Sequence, residues 1–240
     1  MIEETLPKAS STEVDKIRGR YQRRLEASLS VRYEFTNPAV YMGAQELERA
    51  LIRWIRTCEI RPLHEKRVLE IGCGEGNNLL ELLRLGFNPD NLTGNELMPD
   101  RTETARARLP SSVRLCNGNA LNLQFQSGSF DVVLQATVFS SILEDDFQVR
   151  LAAHMWSLVR PGGGILWYDF TYDNPHNPDV KGVKLKRIHH LFPHGRMRYW
   201  RVTLAPPISR LVTRVHPSLY TLLNTVRALR THVLCWIQKG

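Results

Sequence analysis

The sequence predicts an α/β fold: a mostly parallel sheet of seven strands with helices on both faces. Three observations carry this. Short apolar runs alternate with stretches of helical periodicity from about residue 66 to 170. One such run ends in a glycine-rich turn, "VLEIGCGEGNN" (68–78), that leads straight into a helix-forming stretch. The last two strand-like runs, by contrast, have no ordinary crossover between them.

In chain order, residues 12–29 read as a basic helix, and "NPAVYMG" (37–43) reads as a break with Pro and Gly. "AQELERALIRWIRTC" then places Leu47, Leu51, Trp54 and Ile55 on one helical face. "RVLEIG" is a strand and "NNLLELLRLG" a helix closed by Gly86. "NLTGNEL" is a short strand, and Pro99 starts the helix "PDRTETARARL". "SVRLCNG" and "FDVVLQAT" are strands, "EDDFQVRLAAHMWSLV" is an amphipathic helix ended by "RPGGG", and "ILWYDF" is the fifth strand. After the loop "TYDNPHNPDVKG" come a short helix, "KLKRIHHLF", and two strands, "RMRYWRVTLAP" and "THVLCWIQK". Between those two strands lies a helical insert, about 206–230.

A chain of 240 residues suits one large α/β domain with additions and buries a full core. The start, "MIEETLPKASS", is polar and acidic and does not read as a signal peptide. No apolar run approaches the roughly 18 residues needed to cross a membrane. Cys58, Cys73, Cys116 and Cys235 show no CxxC pairing, so they read as reduced thiols of a cytoplasmic protein, without a zinc site. The net charge of +8 is uneven: residues 181–240 carry twelve Lys or Arg and no acid, which leaves −4 for residues 1–180. Either an anionic partner or a solvated basic face accounts for that asymmetry.

A dinucleotide-binding turn wants G-x-G-x-x-G. Here Gly72, Gly74 and Gly76 are spaced G-x-G-x-G, with Asn at 77, and no Walker lysine follows. Glu96 ends the second strand 26 residues after Glu70, at the strand end where an acid can accept both hydroxyls of a ribose.

"VLEIGCGEGNN", "LTGNEL", "CNGNALNLQF", "GSFDVVLQATVFSSI" and "LVRPGGGILWYDF" together resemble, in order, the successive motifs of class I S-adenosylmethionine-dependent methyltransferases, over roughly residues 66–170. The resemblance implies a Rossmann-like sheet whose last strand is antiparallel. It divides the chain into an N-terminal helical lid (1–60) and a methyltransferase core (61–240). S-adenosylmethionine is the implied donor and S-adenosylhomocysteine the product. By the family pattern Glu70 meets the methionine end and Gly72, Gly74 and Gly76 admit the cofactor against the backbone. Cys73 lies between those glycines, where it packs rather than reacts. Glu96 holds the ribose and Leu97 and Leu121 flank the adenine. Asn119 and Ala120 stand at the family's "GDA" position, with Asn in place of Asp, and Gln135 lies beside the methyl group.

The acceptor is less legible. The fourth strand ends "LQATVFSS", without the proline-aromatic sequence of amino-methylating nucleic-acid enzymes or the Pro-Cys of cytosine enzymes. "NPAVYM", "NPHNPDVKG", "VTLAPP" and "LRTH" resemble a bacterial subgroup found beside glycosyltransferases of surface-polysaccharide assembly, which implies O-methylation of a sugar or glycan. Asp169 and His176 are the candidates for proton removal. Tyr168 and Tyr172 are candidates to line the acceptor pocket, and Lys184 and Arg187 to attract an anionic acceptor. The N-terminal stretch with Tyr33, Phe35, Asn37 and Tyr41 is the expected lid. The basic end also suits peripheral contact with an anionic membrane at its inner face. Two other readings stand beside this: an enzyme acting on RNA or another small anionic metabolite, with nucleic acid the weaker partner, and a catalytically silent cofactor-binding module.

Overall fold

The computed structural model describes residues 12–26, 34–174 and 177–240. Its seven strands are β1 (Val68–Ile71), β2 (Leu92–Glu96), β3 (Arg114–Asn117), β4 (Phe130–Ala136), β5 (Val159–Phe170), β6 (Arg196–Leu204) and β7 (Arg230–Gln238). They form one sheet in the order β3-β2-β1-β4-β5-β7-β6. β1 to β5 run parallel, while β7 is antiparallel to both β5 and β6, as expected for the Rossmann-like sheet of class I methyltransferases. The order reverses at β1, between β2 and β4, which is where open α/β sheets bind ligands at the carboxyl ends of their strands.

The eight helices described are α1 (Glu13–Glu26), α2 (Pro38–Thr57), α3 (Asn77–Leu85), α4 (Pro99–Arg108), α5 (Asp145–Leu158), α6 (Leu185–Leu191), α7 (Pro206–Val215) and α8 (Ser218–Leu223). One face of the sheet packs Phe130, Phe139, Trp167 and Val233 against α5 residues Leu151 and Met155. The other packs Val68, Leu134 and Trp236 against α2 residues Leu51, Trp54 and Ile55. Trp54 is fully buried, with its ring 5.4 Å from that of Trp236.

Two boundaries differ from the sequence expectation. "NPAVYMG" is the first turn of α2 and not a break: Asn37 caps it by accepting Ala39 N–H at 3.0 Å, and Pro38 occupies the first helical position, where its missing N–H costs nothing. "RPGGG" lies inside β5, where the ladder shifts register opposite Phe130 and Val132. The insert is present as expected, broken into α7 and α8 at His216 and Pro217. No described helix is long and apolar enough to cross a membrane.

Candidate active site

The turn after β1 is shaped by what presses on it. Gly72 has φ +67°, and a Cβ there would lie 2.5 Å from Val138 Cγ2. Gly74 has φ +57°, and its Cβ would lie 2.5 Å from Arg101 Nη2. Both positions need left-handed backbone, and at Gly72 the branched Val138 side chain adds a close approach, while the Arg101 guanidinium over Gly74 can move aside. Cys73 is buried with its sulfur against Gly94, and burial pushes its thiol up, so it packs and is not activated.

Two acids flank the turn. Glu70 is fully buried in the middle of the sheet, paired with Gly94 and Leu134. Asn78 Nδ2 donates to its Oε1 at 2.6 Å, and Oε2 is buried without a hydrogen-bond partner among the described residues. Burial pushes the Glu70 carboxyl up to about 8, opposed by the Asn78 hydrogen bond and assisted by the nearby Glu96 charge. Glu96 accepts Gly74 N–H on Oε2 at 2.8 Å and Met98 N–H on Oε1 at 2.9 Å, with Arg101 Nη1 3.9 Å away. Arg101 in turn lies 5.3 Å over the ring of Tyr21 on α1. Each carboxylate oxygen offers about two acceptor sites, so one remains on each oxygen of Glu96 for a pair of hydroxyls.

Beyond Glu96 the end of β3 is tied back to β2: Asn117 Nδ2 donates to Glu96 O at 3.1 Å, and Gly118 N–H to the same oxygen at 2.8 Å. Asn119 accepts Leu121 N–H at 3.0 Å and so caps the single turn Ala120–Asn122. Leu97, Ala120 and Leu121 are half-buried against the core around β4, an apolar slot next to Glu96.

On the far side of β1, Gln135 is fully buried; it accepts Val138 N–H at 3.0 Å and donates to Tyr168 O at 3.4 Å. Thr137 has φ +57°, a strained value for a β-branched residue, and it is exposed at the mouth of the site. Asp169 is fully buried: Oδ2 accepts Ser140 N–H at 3.1 Å and Oδ1 accepts Phe170 N–H at 2.9 Å. Burial pushes its carboxyl up to about 7, against the pull of those hydrogen bonds. Asp169 therefore holds the loop after β4 by its backbone, and its carboxylate does not face solvent.

α1 closes over the same loop. Glu13 Oε1 accepts from Arg20 Nη2 at 2.7 Å and from Leu143 N–H at 2.9 Å, while Arg20 Nη2 also donates to Ser141 O at 3.0 Å; both side chains are buried. Arg23 pairs with Asp179 at 2.9 Å. Lys181 N–H donates to Ser140 O at 2.8 Å. α1, the loop after β4 and the loop after β5 thus meet at the carboxyl edge of the sheet. α2, by contrast, is a core helix, although Phe35 and Tyr41 near its start are exposed and pack edge to face at 5.5 Å.

The remaining sequence candidates separate. Tyr168 points into the α2 face, with its hydroxyl 2.8 Å from Thr203 Oγ1 and its ring stacked on His232. Tyr172 is 52% exposed at the carboxyl edge, and Arg201 Nη1 donates to its hydroxyl at 3.5 Å. Lys184 is exposed just before α6, whereas Arg187 is held by Gln148 Oε1 at 3.1 Å and Asp145 O at 3.1 Å, on the flank of α5. His176 and Tyr33 lie outside the described residues. Sequence reasoning missed Asn78, Arg101, Thr137 and the Glu13–Arg20 pair. A signal existed for Asn78, since a buried acid demands a donor and the next helix opens with two asparagines. It existed for Glu13 and Arg20 too, which lie seven apart on one helical face. None existed for Arg101 or Thr137.

A strand–glycine turn–helix at the switch point, an acid ending each of the first two strands and an antiparallel seventh strand define the fold of class I methyltransferases. Residues 68–163 match the family described as "Methyltransferase domain". The chain is similar to demethylmenaquinone methyltransferase of Deinococcus radiodurans, 27% identical over 158 residues that cover 64% of this chain and 61% of that one. It is also similar to fatty-acid O-methyltransferase of Mycolicibacterium smegmatis, 38% identical over 113 residues that cover 46% of this chain and 40% of that one. It therefore spans about half the length of these relatives. Among solved structures it resembles magnesium protoporphyrin IX methyltransferase from Synechocystis with bound S-adenosylmethionine, with a TM-score of 0.64 and 13% identity over 97% of this chain and 100% of that one. At that identity the likeness is one of fold.

Proposed function

We propose that this protein is a methyltransferase that uses S-adenosylmethionine to methylate a hydroxyl of a sugar or glycan intermediate in bacterial surface-polysaccharide biosynthesis, the acceptor bearing phosphate or carboxylate. The observation that carries the donor assignment is Glu70 Oε2, a buried carboxylate oxygen without a partner among the described residues, beside a glycine turn and under the influence of the Glu96 charge. A buried acid in that state asks for a cation, and the α-ammonium of a methionine moiety meets the demand. The residues present fit the rest of the donor: Glu96 for the ribose hydroxyls, the Leu97–Leu121 slot for the adenine with Asn119 and Ala120 at its edge, and Gln135 beside the methyl position.

When bound, the donor supplies a sulfonium methyl group that is already electrophilic. What the chain must add is alignment, exclusion of water and a proton acceptor for the hydroxyl. In this reading α1 is the lid, locked by Glu13 and Arg20 onto the loop that carries Thr137. Asp169 positions that loop through Ser140. His176, six residues beyond β5, takes the proton. Tyr172 and Lys184 stand at the acceptor's entry, at the outer ends of the loop after β5.

Calorimetry with S-adenosylmethionine and S-adenosylhomocysteine tests the donor, and a folded protein giving no heat with either refutes it. Transfer of radiolabelled methyl groups to lipid-linked glycans, nucleotide sugars, free sugars and RNA tests the acceptor class; label in RNA alone overturns the glycan reading. A second reading, in which the acceptor is itself a quinone or lipid, is favoured by the two relatives named above, and label in glycan-free lipid selects it.

A further inference from the structure

The α7–α8 insert carries apolar residues on two sides: Ile208, Val212 and Leu223 pack inward around Tyr220, and a second set stands outside. In α7, Ser209 and Thr213 are buried at 4% and 7% exposure, while Leu211 and Val215, one turn apart, stand 66% and 75% exposed. Leu222 and Val226 continue the pattern at 63% and 47%. The inward set already mounts the helix on the fold, so the exposed leucine and valine are surplus to packing. Arg214 and Arg227 are exposed among these aliphatic residues, and no acid occurs anywhere from 181 to 240.

The insert is also firmly mounted. Tyr220 is fully buried against Met42 and Leu204 and accepts Leu204 N–H at 3.3 Å. Arg230 donates to Asn224 O at 2.6 Å and to Arg201 O at 3.0 Å. Its position follows from the ladder: Leu204 pairs with Arg230 and Phe170 with His232, so the insert leaves and rejoins the sheet at the carboxyl edge of β5. That is the edge where the glycine turn and the loop after β4 meet.

We propose that the α7–α8 insert seats the protein on an anionic lipid bilayer, with Leu211, Val215, Leu222 and Val226 entering the interface and Arg214 and Arg227 pairing with headgroup phosphates. Charge complementarity selects this occupant: a second copy would bring the same acid-free surface against itself, and an uncharged apolar partner would leave the arginines unpaired. The inference deepens the functional reading, on which it rests, by specifying that the anionic acceptor is lipid-phosphate-linked and is met at the membrane surface.

The test is co-sedimentation with vesicles of phosphatidylcholine containing about one third phosphatidylglycerol, beside pure phosphatidylcholine vesicles. The protein should bind the former and not the latter. Leu211→Asp/Val215→Asp should lower partitioning by at least about tenfold, from the apolar area withdrawn. Arg214→Gln and Arg227→Gln should lower it by about fivefold each. Raising salt from about 0.1 M to about 0.5 M should weaken the binding. Calorimetric donor binding by the same variants should be unchanged, which shows that they fold and separates the two outcomes. Lost donor binding in the wild type sinks the functional reading alone, and absent vesicle binding with intact donor binding sinks this inference alone. Vesicle binding indifferent to Leu211→Asp/Val215→Asp overturns it too, as does self-association or capture of an acidic protein that those substitutions abolish without any lipid binding.

Discussion

Replacing Glu70 with glutamine separates a stability cost from a binding role. Glu70 is buried with one oxygen unpartnered among the described residues, and its carboxyl is pushed from an ordinary 4.5 up to about 8. A folded-state value raised above the unfolded one means that the native protein keeps a proton that the unfolded chain releases. The stability is then fully present below about pH 4.5 and is lost as pH rises toward about 8. At about pH 7 the loss has run over about 2.5 pH units at about 1.4 kcal/mol each, less the part already lost to half-ionisation of the unfolded group at about pH 4.5, which leaves about 3 kcal/mol. Glu70→Gln does not ionise and escapes it. Its stability relative to wild type should therefore rise by about 3 kcal/mol between about pH 4.5 and about pH 7, read from urea denaturation at both values. A difference that is the same at both values refutes the reasoning. In the binding role the ionised carboxylate meets an ammonium group, so wild type should release close to one proton on binding S-adenosylmethionine at neutral pH. Calorimetry in buffers of different ionisation enthalpy measures this. Glu70→Gln should release none and bind about tenfold or more weakly.

Three further outcomes follow from the same geometry. Glu96→Ala should weaken donor binding by about 1–3 kcal/mol in a titration, since it removes a charged acceptor and leaves Gly74 N–H without its partner. Asp169→Asn should cut turnover by about tenfold or more through a displaced Thr137–Ser141 loop, leave donor affinity within about twofold, and remove from the pH–rate profile any inflection near 7 that this group contributes. Arg20→Ala strands the buried Glu13 carboxylate, a loss of about 3–5 kcal/mol that should release α1. Hydrogen exchange should then rise across residues 13–26 while the strands keep their protection.

The sheet was legible in the sequence because β1, β2 and β4 are short runs each followed by a helix with its own punctuation, while β3 and β5 were read from their place in that alternation. The Gly72–Gly76 turn and the acids Glu70 and Glu96 were legible because their chemistry depends on spacing along the chain. The acceptor side was not, because its residues come together only through folding. Thr137 owes its interest to a backbone angle and Arg101 to lying over Gly74 from a different helix. Glu13 and Arg20 gain theirs by reaching Leu143 and Ser141 across the molecule. Tyr168 shows the opposite error: its place at the end of a strand suggested an open pocket, but pleat alternation turns it inward to Thr203 and His232. The start of α2 is ambiguous in sequence because Asn-Pro interrupts a helix or opens one equally well, and here Asn37 caps it.

The family match ends at residue 163, whereas the insert begins at 206 and joins the edge strand β6 to its antiparallel neighbour β7. Extending a connection of that kind costs only about 0.6 kcal/mol for each doubling of its length. Such a lineage can exchange its customers without renegotiating its supplier. The turn between the first strand and the first core helix is pinned by Val138 and Glu96 and tolerates little change, while the outer face of α7 and α8 can be recoloured with the buried Tyr220 and Asn224 left in place. The exposed positions of α7 and α8 are thus the natural unit of exchange for redirecting such a fold to another surface.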